Sequence, residues 1–167
     1  MPLRYPRHLP GFSYTGLHQY SLTFCTESRA AIFTNADTVT LVLTQIQRAA
    51  IEESIAIVAY CFMPDHLHLI IEGTAAHSGL KDFIHRAKQY SAFYYKRQVG
   101  SRLWQRYGYE HVIRDRERLG ALVRYVLENP VRAGLVKEPR DYAFLGSSVY
   151  TLEALLEFAY DRGRSSG

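Results

Sequence analysis

The chain has 167 residues, 47% of them hydrophobic, with 20 Lys and Arg against 16 Asp and Glu for a formal charge of +4. That length suits one domain of about 100–200 residues able to bury a core without disulfides, and no run reaches the ~18 consecutive apolar residues of a membrane span. The opening MPLRYPRHLPGF lacks the apolar centre of a signal peptide, so a single cytoplasmic domain over 1–167 is expected, with a core over 14–136 and a helical tail over 137–167. Cys25 and Cys61 sit inside apolar runs with no paired-ligand spacing, which points to buried thiols in a reducing compartment rather than a disulfide or zinc knuckle.

In chain order, HQYSLTFCTE (18–27) alternates as a strand, with Tyr20, Leu22 and Phe24 on one face. Asn35 or Asp37 caps a helix over 36–52, in which Val39, Leu43, Ile46 and Ala50 recur at helical spacing. SIAIVAYCFMP (54–64) is a nearly fully apolar second strand ended by Pro64, and a tight turn leads into a third strand over 66–72, forming a hairpin. Ser78 opens a long helix to residue 98, with Leu80, Ile84, Ala87, Phe93 and Tyr94 as its packed face and Gly100 as its stop. YEHVIR (109–114) is a short fourth strand. Asp115 then caps a helix through Asn129, where Pro130 signals its end, and TLEALLEFAYDRG (151–163) is a last amphipathic helix.

Strand, helix, strand, strand, helix, strand is the order of a split βαβ, or ferredoxin-like, α+β fold: an antiparallel sheet with helices packed on one face, plus additional C-terminal helices. Strands one and three are then central neighbours. In MPDHLHLIIEG (63–73) this places His66 and His68 on one face of a rigid central strand, while Leu67 and Leu69 point the other way. Two imidazoles one strand repeat apart present nitrogens that a single divalent ion can bridge; a pair of surface histidines has the same spacing. A third ligand is offered by RYVLENP, where Tyr125 and Asn129 stack one turn apart at the edge of a stripe made by Leu119, Leu122, Val123 and Val126. An amide oxygen suits magnesium or manganese and a phenol is a nucleophile, although ordinary packing also accounts for one tyrosine among thirteen.

Charge is unevenly placed. Twelve Lys and Arg face five acids between Lys81 and Arg132, an excess of seven that leaves the remainder of the chain net acidic by three. Aromatic residues are interleaved through this stretch, as on surfaces that hold phosphates and stack unpaired bases; a solvated helix face over an aromatic core reads the same way. Lys88, Arg102, Trp104, Arg106, Arg114 and Arg124 are the candidate DNA contacts, Trp104 being equally readable as core.

MPDHLHLIIEG resembles the His-hydrophobic-His motif of HUH endonucleases, and LWQRYGYEHVIRDRERLGALVRYVLENPVRAGLV is similar to the second block of single-tyrosine transposases, particularly the REP-associated tyrosine transposases of bacteria. The N-terminal RHLPGFSYTGLHQYSLTFCTESRAAIF resembles the same group, so the likeness covers residues 7 to 147 in three ordered blocks. It implies a ferredoxin-like fold, a magnesium or manganese ion, and cleavage of single-stranded, hairpin-containing DNA through a covalent 5′-phosphotyrosine. On that likeness His66 and His68 match the histidine ligands, Tyr125 the nucleophile, and Asn129 the polar metal ligand one turn later. Related transposases include dimers that share sites and a REP-associated group thought to act as monomers, so the oligomeric state stays open.

That chemistry suits these residue types. A phosphodiester resists attack because its oxygens are anionic, and a cation relieves that charge. A free phenol has a pKa of about 10, so Tyr125 calls for the ion or a basic neighbour such as Arg124 or Lys88. Glu110 and His111 are usual in the resembled block, with roles divided among shaping the strand, contacting DNA and approaching the site. Tyr107 and Tyr109 are rival nucleophiles, and Asp65 shapes the turn or supports an imidazole. Three classes remain: a DNA strand transferase, an inactive nucleic-acid binder of the same fold, and a water-using metal-dependent nuclease.

Overall fold

The computed structural model describes residues 13–113 and 116–161. Five antiparallel strands, β1 (Gln19–Cys25), β2 (Ile55–Met63), β3 (His66–Gly73), β4 (Tyr109–Ile113) and β5 (Leu145–Gly146), lie in the order β4-β1-β3-β2-β5. The first four make the expected ferredoxin-like α+β arrangement, with β1 and β3 central. Helices α1 (Ala36–Glu52) and α2 (Leu80–Val99) cover one face; α3 (Arg116–Arg132) and α4 (Leu152–Tyr160) cover the other. The additional helices therefore create a second buried face instead of extending the first layer.

Strand alternation assigns each side chain to one of these faces. Tyr20, Leu22 and Phe24 of β1 and Leu67, Leu69 and Ile71 of β3 join the core beneath α1 and α2. Ile70 joins Leu119, Val123, Val126 and Leu127 of α3 in the opposite core, the face that His66 and His68 share with it by parity. A bulge between Ile57 and Ala59 resets the parity of β2, so Ile57 and Phe62 serve one core while Val58, Ala59, Cys61 and Met63 serve the other. This explains why β2 reads as apolar throughout. Cys25 and Cys61 are both buried free thiols.

Local chemistry sets most boundaries. The Thr38 backbone N–H donates to the Asn35 side chain at 3.0 Å, so Asn35 rather than Asp37 caps α1. Gly100 takes the left-handed conformation, φ +86°, that ends α2. Gly73 is required by close approach, since a Cβ there would stand 2.0 Å from the Gly16 carbonyl oxygen. The β2–β3 turn is anchored by the Thr26 N–H donating to the Asp65 carbonyl and by the Ile32 and Phe33 N–H groups donating to that of Pro64.

Four expectations are corrected. Ser78 does not cap α2; Gly79 does, while the Ser78 hydroxyl accepts from the Thr74 and Ala75 N–H groups and donates to the Ser54 carbonyl, closing the β3–α2 loop. The packed face of α2 is Leu80, Phe83, Ala87, Ser91 and Tyr95, leaving Phe93 56% exposed. Polar Ser91 occupies a core position because its hydroxyl accepts the Trp104 indole N–H at 2.9 Å. Helix α3 does not stop at Asn129 but runs through Pro130 to Arg132. In the last turn, a proline withholds only the bond its N–H would have given to the Val126 carbonyl. Strand β5 has no counterpart in the expected element order, since two residues carry no period. The cap expected at Asp115 lies outside the described residues, and the last helix is seen over Leu152–Tyr160. Among the described residues no helix is long and apolar enough to cross a membrane.

Candidate active site

Strand β3 delivers both His66, its first residue, and His68, their Nε2 atoms 3.1 Å apart and their rings nearly perpendicular at 89°. The outer nitrogens are both engaged. His66 Nδ1 lies 2.7 Å from Asp65 Oδ1, and His68 Nδ1 lies 3.1 Å from Thr23 Oγ1 on the neighbouring β1. A carboxylate only accepts, so His66 Nδ1 carries a proton towards Asp65, and the tautomer so fixed is the one whose Nε2 can present a lone pair. If His68 Nδ1–H donates to Thr23, the two Nε2 lone pairs face each other, an arrangement that a cation stabilises.

Asp65 is itself held. Arg29 Nη2 and Nε both lie 2.9 Å from its Oδ2. Burial would raise the Asp65 pKa, but the hydrogen bonds from His66 and Arg29 and the Arg29 charge outweigh it and keep the carboxyl below its ordinary value. Arg29 reaches this position from a turn in which Ser28 and Arg29 have φ of +54° and +53°, a left-handed conformation that costs non-glycine residues on the order of 1 kcal/mol each. His68 is pushed down to about 4, first by burial and then by the charges of His66, Arg132 and Arg29, and is neutral near pH 7. Neutral imidazole is the ligand form.

Helix α3 crosses this face and brings Tyr125 to the pair. Its ring centroid lies 6.2 Å from that of His68, edge to face at 82°. Asn129 follows one turn later, and its side-chain Nδ2 is buried with no hydrogen-bond partner. Amide nitrogen and oxygen exchange places by a simple flip, so an unpartnered buried amide position is one where an oxygen can meet a cation. Among the described residues no three His, Cys, Asp or Glu side chains form a metal cluster. The histidine pair fits a divalent ion: with metal–nitrogen bonds of about 2.1 Å, nitrogens 3.1 Å apart subtend about 95° at one centre.

Other expected residues are distributed differently. Trp104, expected among the DNA contacts, is 4% exposed and packs edge-on against Phe24, so its ring is core and presents no face for a base. Lys88 lies 5.0 Å over the Phe24 ring and 3.5 Å from the Gln105 carbonyl, on the α2 side of the sheet. The sheet separates it from Tyr125, so it does not act on that phenol. Arg124 turns to Glu128 at 3.1 Å and stacks 4.8 Å over Tyr160 of α4. Among the described residues the cation beside Tyr125 is Arg132, 3.8 Å from the ring centroid. Sequence reasoning passed over it; the signal was its place seven residues after Tyr125, two turns along one helical face.

Arg102 and Arg106 are exposed on the loop after α2, Arg102 donating to the Trp104 carbonyl and Arg106 lying 5.4 Å over the Tyr107 ring. Of the rival nucleophiles, Tyr107 lies in the loop before β4 and Tyr109 is the first residue of that strand. Glu110 and His111 pair in register with Leu22 and Ser21, their side chains lying outside the described structure, as does Arg114 altogether.

The family model described as "Transposase IS200 like" matches residues 14–129, a span that holds His66, His68, Tyr125 and Asn129. A candidate REP-associated tyrosine transposase of Haemophilus influenzae is 33% identical over 98 residues, 52% of this chain and 56% of that relative, so the match spans little more than half the relative's length. Among solved structures, a REP-associated tyrosine transposase bound to a REP hairpin superposes with a TM-score of 0.69 at 20% identity, covering 83% of this chain and 82% of that one. A candidate transposase from Deinococcus radiodurans superposes at 0.51 and 21% identity, covering 74% and 96%. At these identities the two structures speak for the fold, whereas the family model covers well over half of the chain: the chain belongs to the IS200-like transposase family.

Proposed function

We propose that this chain is a single-stranded DNA endonuclease and strand transferase that cuts and rejoins hairpin-containing DNA through Tyr125. The observation that carries this reading is the convergence of the Tyr125 ring, 6.2 Å from His68, on a histidine pair whose Nε2 atoms stand 3.1 Å apart. Hairpin DNA as the substrate is supported by the solved REP-associated relative bound to a REP hairpin. A magnesium or manganese ion bound by His66, His68 and Asn129 would supply a positive charge against the anionic phosphate.

Tyr125 supplies the nucleophilic oxygen. Its Oη–P bond forms as the P–O3′ bond breaks; the phenol loses its proton to solvent, and the leaving oxygen takes one up as a 3′-hydroxyl. The strand is left with its 5′ phosphate on Tyr125 and a free 3′ end. Attack by a second 3′-hydroxyl reverses these steps, so cutting and rejoining need no nucleotide cofactor. Asp65 and Thr23 orient the imidazoles, and exposed Arg102 and Arg106 are suited to hold backbone phosphates.

The test uses end-labelled single-stranded hairpin DNA with manganese, resolved on a denaturing gel. A slow protein–DNA adduct that Tyr125→Phe abolishes is the expected result. Cleaved DNA without adduct would replace the reading with a water-using nuclease, and binding without cleavage would replace it with an inactive binder.

A further inference from the structure

Helix α3 gains its last residue, Arg132, by continuing past Pro130. The guanidinium carbon stacks 3.8 Å from the Tyr125 ring centroid, and Nη2 donates to the Tyr125 backbone carbonyl at 2.6 Å. Nη1 stands 3.9 Å from Glu128 Oε2. The His68 imidazole also borders the phenol ring, its centroid 6.2 Å away and its plane at 82°. Tyr125 is 52% exposed, too open for packing alone to select its rotamer, yet its ring is in contact with a guanidinium and neighbours an imidazole.

We propose that Arg132 is the positioning residue for Tyr125: bonded to the residue's own carbonyl and stacked on its ring, it holds the phenol against the histidine pair. The planar guanidinium makes both contacts at once, which the compact ammonium of a lysine cannot. Its functional consequence rests on Tyr125 being the nucleophile, whereas its structural content does not.

The experiment compares wild type, Arg132→Lys, Arg132→Gln and a control, Arg140→Gln, an exposed arginine whose ion pair is with Glu138. Proton–carbon spectra of protein labelled in its tyrosine rings, with Tyr125 assigned through Tyr125→Phe, read the ring directly. The Tyr125 signals should stand away from those of free tyrosine in wild type and the control, and move towards them in both Arg132 variants. In single-turnover adduct formation at saturating hairpin DNA with manganese, Arg132→Gln should slow the reaction about 10–100-fold, with DNA affinity changed less than about threefold and no rescue by Arg132→Lys. Unmoved Tyr125 signals in both variants, or full rescue by lysine, overturns the proposal. If wild type forms no adduct, the nucleophile assignment fails, and the Tyr125 spectrum still decides whether Arg132 orients the ring.

Discussion

Replacing Asp65 tests how the histidine pair is prepared for a cation. The His66–Asp65 contact is 2.7 Å between side chains 18% and 31% exposed, and Arg29 holds the carboxylate from its other oxygen. A hydrogen bond to a charged partner contributes about 1.5–3 kcal/mol, against about 0.5–1.5 for a neutral one, and partial exposure favours the lower end. Asp65→Asn keeps an acceptor but loses the charge, a cost of about 1 kcal/mol, or ~5-fold in manganese affinity. Asp65→Ala removes both and releases Arg29; about 2 kcal/mol makes binding ~30-fold weaker, within the range found for partners of metal-binding histidines. Manganese titration followed by electron paramagnetic resonance measures the affinity, and nitrogen chemical shifts of the imidazoles report whether His66 keeps its proton on Nδ1. Asp65→Ala binding manganese within twofold of wild type would refute the reasoning.

Thr23→Val is nearly isosteric and removes the partner of His68 Nδ1 at 3.1 Å; manganese affinity should fall about tenfold, as the same titration would show. Ser91→Ala leaves the Trp104 indole N–H unpaired in the core, a cost of about 1–2 kcal/mol once the better helix propensity of alanine is counted, seen as a lower urea midpoint. Trp104→Phe should likewise lower that midpoint but leave hairpin affinity unchanged while the protein is folded, because the ring is buried. Burial pushes the Cys61 thiol up to about 12 from its ordinary value of 9.0. Its folded pKa is therefore the raised one: the contribution to stability is fully present below about pH 9 and is lost as pH climbs towards 12. Urea midpoints measured from pH 8 to 11 should fall less steeply in Cys61→Ala than in wild type, and iodoacetamide should spare Cys61 in the native protein at pH 8.

Periodicity alone located most of the elements, because alternation in β1 and β3 and helical spacing in α1 and α3 reflect which side chains each element buries. It was weaker where both faces of an element are covered. Strand β2 is apolar throughout, so its bulge left no trace in the pattern, and a buried serine disguised the packed face of α2 because hydropathy takes no account of the indole N–H that it accepts.

The candidate site divides in the same way. By itself, the amino-acid order placed His66 and His68 on one face and Tyr125 one turn before Asn129, since both follow from fixed backbone periods. Only the tertiary structure decided that α3 crosses the histidine face, that the sheet separates Lys88 from Tyr125, that Trp104 is core, and that Arg29, Thr23 and Arg132 surround the site. These depend on contacts between residues far apart along the chain, or on a helix persisting through a proline. A local period cannot encode either, because packing between layers determines which faces meet.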